Sequence, residues 1–138
     1  MTVVVDASVA VKWVIPEVLS DRADALRGRA NRLLAPDLLL TEAANALWKK
    51  LLRREITARE ATRALDLLMA SGLDLRPSAP LLGRALVLAR RLRQPVYDCV
   101  YVALAQAEGA TLVTADQRLL SRTMRGPTRL AVMDLAGL

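Results

Sequence analysis

The sequence predicts an α/β fold built on a parallel sheet, and three observations carry that expectation. From Val96 to Ala107 nearly every residue is apolar, which reads as a helix buried on most sides. It is followed after Gly109 by the short apolar run Ala110 to Val113, too brief for a helix and closed by Thr114-Ala115-Asp116. A helix feeding a buried strand is the pattern of a parallel sheet covered by helices. Thr2 to Val5 is a β-branched run of the kind found in a central, buried strand. Between these landmarks, short apolar runs alternate with helical periodicities.

In chain order, the first strand ends at Asp6. Ser8 can cap a short helical stretch from Val9 to Ile15, which Pro16 stops. Glu17 to Arg29 reads as an amphipathic helix with Leu19, Ala23, Leu26 and Ala30 on one side. Leu33 to Ala35 predicts the second strand. Pro36 and Asp37 open a helix to about Arg53, its apolar face made by Leu39 or Leu40, Ala43 or Ala44, Leu47, Trp48 and Leu51. Thr57 and Glu60 form a capping-box pattern for a helix reaching Ser71, which Gly72 ends. Leu73 to Leu75 predicts a short third strand, and Pro80 to Arg93 another helix. Pro95 suits the first turn of the apolar helix, and Gly109 its end. Gln117 to Arg122 predicts a short helix and Thr128 to Met133 a closing edge strand. The count is about five strands. No repeat, linker or low-complexity segment interrupts residues 1–138, so a single domain is expected.

The totals narrow the function. A net charge of +6 favours a polyanionic partner, and arginine outnumbers lysine 17 to 3, which suits phosphate contacts. Phe is absent and aromatics make up 3%, so a base-stacking platform of the single-strand-binding kind is not expected. His is absent, removing the commonest general base and the commonest nitrogen ligand together. The single cysteine, Cys99, falls inside the apolar helix and allows no intrachain disulfide, in keeping with a reducing cytoplasm. The first residues carry no basic region and include Asp6, unlike a signal peptide. No run of 18 apolar residues offers a membrane span.

Four acids are awkwardly placed. Asp6 and Asp116 follow apolar strand runs, whereas Glu42 and Asp98 lie near the starts of apolar helices. In a parallel sheet, Asp6 and Asp116 emerge on the same edge, beyond the carboxyl ends of the strands, where ligands of such sheets bind. The starts of the helices emerge there too, bringing Asp98 and Glu42 into reach. Carboxylates gathered without counter-charge raise one another's pKa, and a divalent cation resolves the conflict. With no histidine and a buried thiol, an all-oxygen site favours Mg²⁺ or Mn²⁺. Each acid also has a plain structural reading. Asp6 could cap the turn at Ser8, Glu42 could pair with a lysine, Asp98 could serve the helix dipole, and Asp116 could cap the following helix. Asn45, one helical turn beyond Glu42, and Thr114 could be hydrogen-bonded core groups.

Four segments in order, VVVDAS, PDLLLTEAANAL, VYDCVYVALAQAEGATL and TADQRL, resemble the PIN domain family, and within it the VapC-type toxins of bacterial and archaeal toxin–antitoxin pairs. The likeness runs from about Thr2 to Leu120. It implies a three-layer α/β/α sandwich around a parallel sheet and a metal-dependent endoribonuclease. It further implies that Asp6, Glu42, Asp98 and Asp116 form the acidic metal site, with Ser8, Asn45 and Thr114 as supporting polar residues. A homodimer, an RNA substrate and a small antitoxin that occludes the site come with the same resemblance. Two rivals remain at this stage: a non-catalytic RNA-binding module of the same fold, and phosphotransfer through an aspartyl-phosphate. The second is disfavoured because the position two residues after Asp6 holds Ser8 rather than a second acid.

Overall fold

Five short strands form one parallel sheet: β1 (Thr2–Val5), β2 (Arg32–Pro36), β3 (Asp74–Arg76), β4 (Thr111–Thr114) and β5 (Val132–Asp134). Their order across the sheet is β3-β2-β1-β4-β5, so the first strand occupies the centre as its β-branched run requires. Val3 stands opposite Leu33 on one side and Thr111 on the other. Val3, Val4 and Val5 are fully buried. Burial of each contributes about 1.5–3 kcal/mol before entropy is counted. The computed structural model describes residues 1–124 and 130–138.

The helices are α1 (Ala7–Ala10), α2 (Ser20–Arg29), α3 (Leu38–Leu52), α4 (Ala58–Met69), α5 (Leu82–Leu92), α6 (Val96–Glu108) and α7 (Gln117–Met124). With the sheet they make the three-layer sandwich. Helix α6 packs against β1, β2 and β4, and its residues Cys99 to Ala105 are all buried. That explains a helix with almost no polar face. Gly109 ends it at φ +59°, a conformation that costs glycine nothing. Among the described residues no helix is long and apolar enough to cross a membrane.

Several boundaries differ from the sequence reading, each for a local reason. The stretch predicted over Val9 to Ile15 is α1 followed by a 3₁₀ turn, Val11–Trp13. Ser8 is not its cap: the Asp6 carboxylate is, accepting from the Val9 amide at 3.2 Å. Helix α2 starts at Ser20 because Leu19 turns left-handed at φ +69°, and the Glu17 amide donates to the Ser20 hydroxyl. Pro36 closes β2 rather than opening α3. Asp37 does not cap that helix with its side chain; its carboxylate takes the Ser78 amide at 3.1 Å and hydroxyl at 2.5 Å. The third strand is Asp74–Arg76, shifted one residue along. Ala79–Leu81 forms a 3₁₀ turn before α5. The last strand shortens to β5, and Thr128 and Arg129 of its predicted range lie outside the described residues.

Trp48 is the clearest correction. Periodicity assigned it to the apolar face of α3, yet it is 52% exposed, while Leu39, Ala43 and Leu47 carry the buried stripe. The carboxylate of Glu17 ties this region together, taking Lys12 at 3.0 Å and Lys50 of α3 at 2.7 Å.

Candidate active site

The strand order fixes where a site belongs. From β1 the chain winds outward through β2 to β3, then crosses back to β4 and β5 on the opposite side. The winding reverses between β1 and β4, and the crevice beyond their carboxyl ends is where open α/β sheets bind ligands. Asp6 stands at the end of β1. Thr114 ends β4, with Asp116 two residues on.

Asp6 is 7% exposed. Its Oδ1 accepts from the Ser8 hydroxyl at 2.5 Å as well as from the Val9 amide, and the Thr114 hydroxyl donates to Oδ2. Burial nonetheless pushes its carboxyl up to about 6; the three donors oppose the rise and the neighbouring Asp116 adds to it. Ser8 and Thr114 also serve the second turn. Ser8 Oγ accepts from the Ala115 amide at 3.0 Å, and Thr114 Oγ1 accepts from the Asp116 amide at 3.0 Å. The two strand ends are thereby stitched together through hydroxyls that touch the central carboxylate.

Asp116 caps α7, its Oδ1 accepting from the Arg118 amide at 2.9 Å and the Leu119 amide at 3.2 Å. Its Oδ2 has no protein donor among the described residues. Asp98, in the first turn of α6, is half-buried, and no protein donor reaches its carboxylate among the described residues. Burial pushes it up to about 6, Asp116 and Asp6 push the same way, and Arg118 opposes them. Glu42, in the second turn of α3, is half-buried and raised first by burial and then by Asp98.

Glu42 has a partner that sequence reasoning missed. The Tyr101 hydroxyl donates to Glu42 Oε1 at 2.5 Å, across 59 residues. Tyr101 is 1% exposed, and burial together with the carboxylate holds its phenol protonated far above neutral pH. It therefore acts only as a donor. Its position three residues after Asp98 put both on one face of α6, which was the available clue. Asn45 is exposed rather than a core polar group. It lines, with Glu42, an open cavity of about 520 Å³.

Asp6, Ser8, Thr114 and Asp116 are thus joined by hydrogen bonds. Asp98 lies within electrostatic reach of Asp6, Asp116 and Glu42, and Glu42 joins the group through Asp98. Among the described residues no ion pair reaches any of the four acids, so the lysine partner considered for Glu42 is not found. Nor, among the described residues, do three acids stand close enough to form a finished ion cage. The donor set suits a hard divalent cation: oxygen only, negative and without an ion pair among the described residues, with the Cys99 thiol buried and pushed up to about 11.

Comparison with known proteins gives four matches. A family model described as PIN domain matches residues 3–125. Ribonuclease VapC3 of Pyrobaculum aerophilum is 36% identical over 124 residues, covering 88% of this chain and 95% of that protein. Among solved structures, a Pyrobaculum aerophilum protein aligns with a TM-score of 0.71 at 26% identity, over 99% of this chain and 94% of its own. A DNA-bound VapBC from Salmonella typhimurium shares the fold, with a TM-score of 0.65 at 17% identity over 98% of each chain.

Proposed function

The chain belongs to the PIN domain family, and from that premise we propose that it is a metal-dependent endoribonuclease, the toxin of a toxin–antitoxin pair. Asp6, Glu42, Asp98 and Asp116 form its metal site. One observation carries the reading: four acids from four separate segments come within electrostatic reach of one another at the switch point of the sheet, and among the described residues none of them forms an ion pair, Arg118 alone easing Asp98 from a distance. The name of the Pyrobaculum relative supports ribonuclease chemistry. The Salmonella VapBC structure supports an antitoxin partner. A homodimer is part of the same proposal.

Asp6 and Asp98 would hold the ion, with Glu42 and Asp116 contributing directly or through waters. Mg²⁺ or Mn²⁺, when bound, lowers the pKa of a water and neutralises charge developing on the scissile phosphate. The remaining work belongs to this chain's own residues. Ser8 and Thr114 fix both oxygens of Asp6, so its lone pairs are aimed before any ion arrives. Tyr101 steadies Glu42. Asp116 uses one oxygen as a cap and keeps the other for the site. A carboxylate of the set orients the attacking water, since the chain has no histidine to act as base. Basic residues around the crevice hold flanking phosphates, giving an affinity that falls with salt.

Cleavage of structured RNAs tests the proposal, with Mg²⁺ or Mn²⁺ against EDTA, and wild type against Asp98→Asn. Metal-dependent cleavage lost in the variant is expected. Binding of RNA without cleavage under every metal condition would make the chain a non-catalytic module instead. Phosphate retained on the protein would point to aspartyl-phosphate chemistry.

A further inference from the structure

We propose that the groove beside the acidic site is a subsite for one unpaired nucleotide, its base stacked on Tyr97 and its phosphates drawn toward Lys49 and Arg53. The proposal rests on the ribonuclease reading above and names the form of RNA that the site accepts.

The chain has only two tryptophans and two tyrosines, so the placement of each is informative. Trp13 is committed to the fold: its indole donates to the Ala23 carbonyl at 2.9 Å and Arg27 sits over its ring at 5.2 Å. Tyr101 is buried against Glu42. Trp48 lies farther along α3. Tyr97 immediately precedes Asp98, yet is 63% exposed on a helix whose residues Cys99 to Ala105 are all buried. Its ring shares the 520 Å³ cavity with Leu38, Thr41, Glu42, Asn45 and Lys49. That size falls within the roughly 300–1,000 Å³ of small-ligand sites. An aromatic face, an apolar neighbour and an exposed amide beside carboxylates are the parts that receive a nucleobase.

A second cavity of about 300 Å³ shares Ala7, Ala46 and Lys49 with the first, and adds Ser8, Lys50 and Arg53. Lys50 is taken up by Glu17. Lys49 and Arg53, both exposed, form no ion pair among the described residues. The two cavities meet at Ala7, Ala46 and Lys49: ring and amide lie on the Glu42 side, the uncommitted Lys49 stands where they join, and Arg53 lies on the far side with Ser8. A nucleotide laid across them puts its base on Tyr97 and its backbone near the acids. A base already stacked in a duplex cannot lie on the ring, so the site selects single-stranded or looped RNA.

Fluorescence anisotropy with a labelled single-stranded oligoribonucleotide, and with the same strand annealed to its complement, tests this. Binding is measured in Mg²⁺ on the Asp98→Asn chain to prevent turnover, while wild-type cleavage is followed in parallel. Tyr97→Ala is expected to weaken single-strand binding at least about fivefold, the lower end of base–aromatic stacking. Tyr97→Phe restores it, and the slope of affinity against salt stays unchanged because no charge is lost. Lys49→Ala or Arg53→Ala instead makes that slope shallower by about 0.7. Melting temperatures of the Tyr97 variants stay near the parent's, the ring being exposed. A loss below fivefold for Tyr97→Ala, or duplex bound as tightly as single strand, overturns the subsite while wild-type cleavage still upholds the ribonuclease. Absence of both cleavage and RNA binding overturns the ribonuclease reading and the subsite with it.

Discussion

Replacing Asp6 by asparagine is expected to stabilise the metal-free protein at neutral pH. The carboxyl is pushed from 3.8 to about 6, chiefly by burial. An unfolded chain releases this proton near 3.8, whereas the folded chain keeps it until about 6. Stability is therefore fully present below 3.8, falls as the pH rises, and has lost the whole contribution above about 6. At about 1.36 kcal/mol per pH unit, the penalty at pH 7.5 is about 3 kcal/mol. Asparagine removes the charge and keeps one carbonyl oxygen for Ser8 and Val9. It presents an amide to Thr114, whose hydroxyl currently donates to Oδ2. Losing that bond returns about 1 kcal/mol. The net gain of about 2 kcal/mol corresponds to a rise of roughly 5–8 °C in Tm for a chain of this size. Thermal melts in EDTA at pH 7.5 measure it, and the advantage should fade as the pH is lowered toward 4. Adding Mn²⁺ should then raise the Tm of wild type but not of the variant, because only the wild type binds it in the folded state. A lower Tm for Asp6→Asn at pH 7.5, or a difference that ignores pH, would show that Asp6 serves the fold as a helix cap and nothing more.

Three further outcomes follow from other contacts. Tyr101→Phe deletes the donor to Glu42 and should cost about 1–3 kcal/mol while weakening Mn²⁺ binding, read by thermal melts and by paramagnetic resonance of the free ion. Lys50→Met removes one of the two lysines that hold Glu17 and should destabilise by about 1–3 kcal/mol, measured by urea unfolding. Thr57→Ala breaks the reciprocal cap with Glu60 at the start of α4 and should cost about 0.5–2 kcal/mol in the same assay.

The sheet was legible because its strands are short apolar runs: β1 and the helix between Pro95 and Gly109 fall where the sequence puts them, and β4 lies one residue later than the apolar run Ala110 to Val113. Helix ends were harder wherever a long-range partner sets them. Glu17 reads as the first residue of an amphipathic helix, but its carboxylate belongs to Lys50, 33 residues away. Ser8 looked like a cap because serine often is one; the folded turn gives that role to the Asp6 carboxylate, the plainer reading the sequence also allowed, and sets the Ser8 hydroxyl to accept from the Ala115 amide. Trp48 was misjudged because α3 is apolar on more than one side, so spacing alone does not choose its buried stripe. The acids were found as chemical anomalies in apolar surroundings. Tyr101 and Tyr97 were not, since a tyrosine in an apolar run gives no hint whether it is buried or exposed. A low aromatic content likewise says nothing about where the few rings stand.

The hydroxyl bridge between the ends of β1 and β4 also orders events in time. Asp6 is made early, but its partners Ser8 and Thr114 meet only when β4 has inserted beside β1, more than a hundred residues later. The hydroxyl contacts around Asp6 are therefore incomplete until the chain has been made at least as far as Thr114. On the proposed reading, the cutting centre would accordingly be complete only once nearly the whole chain is in place.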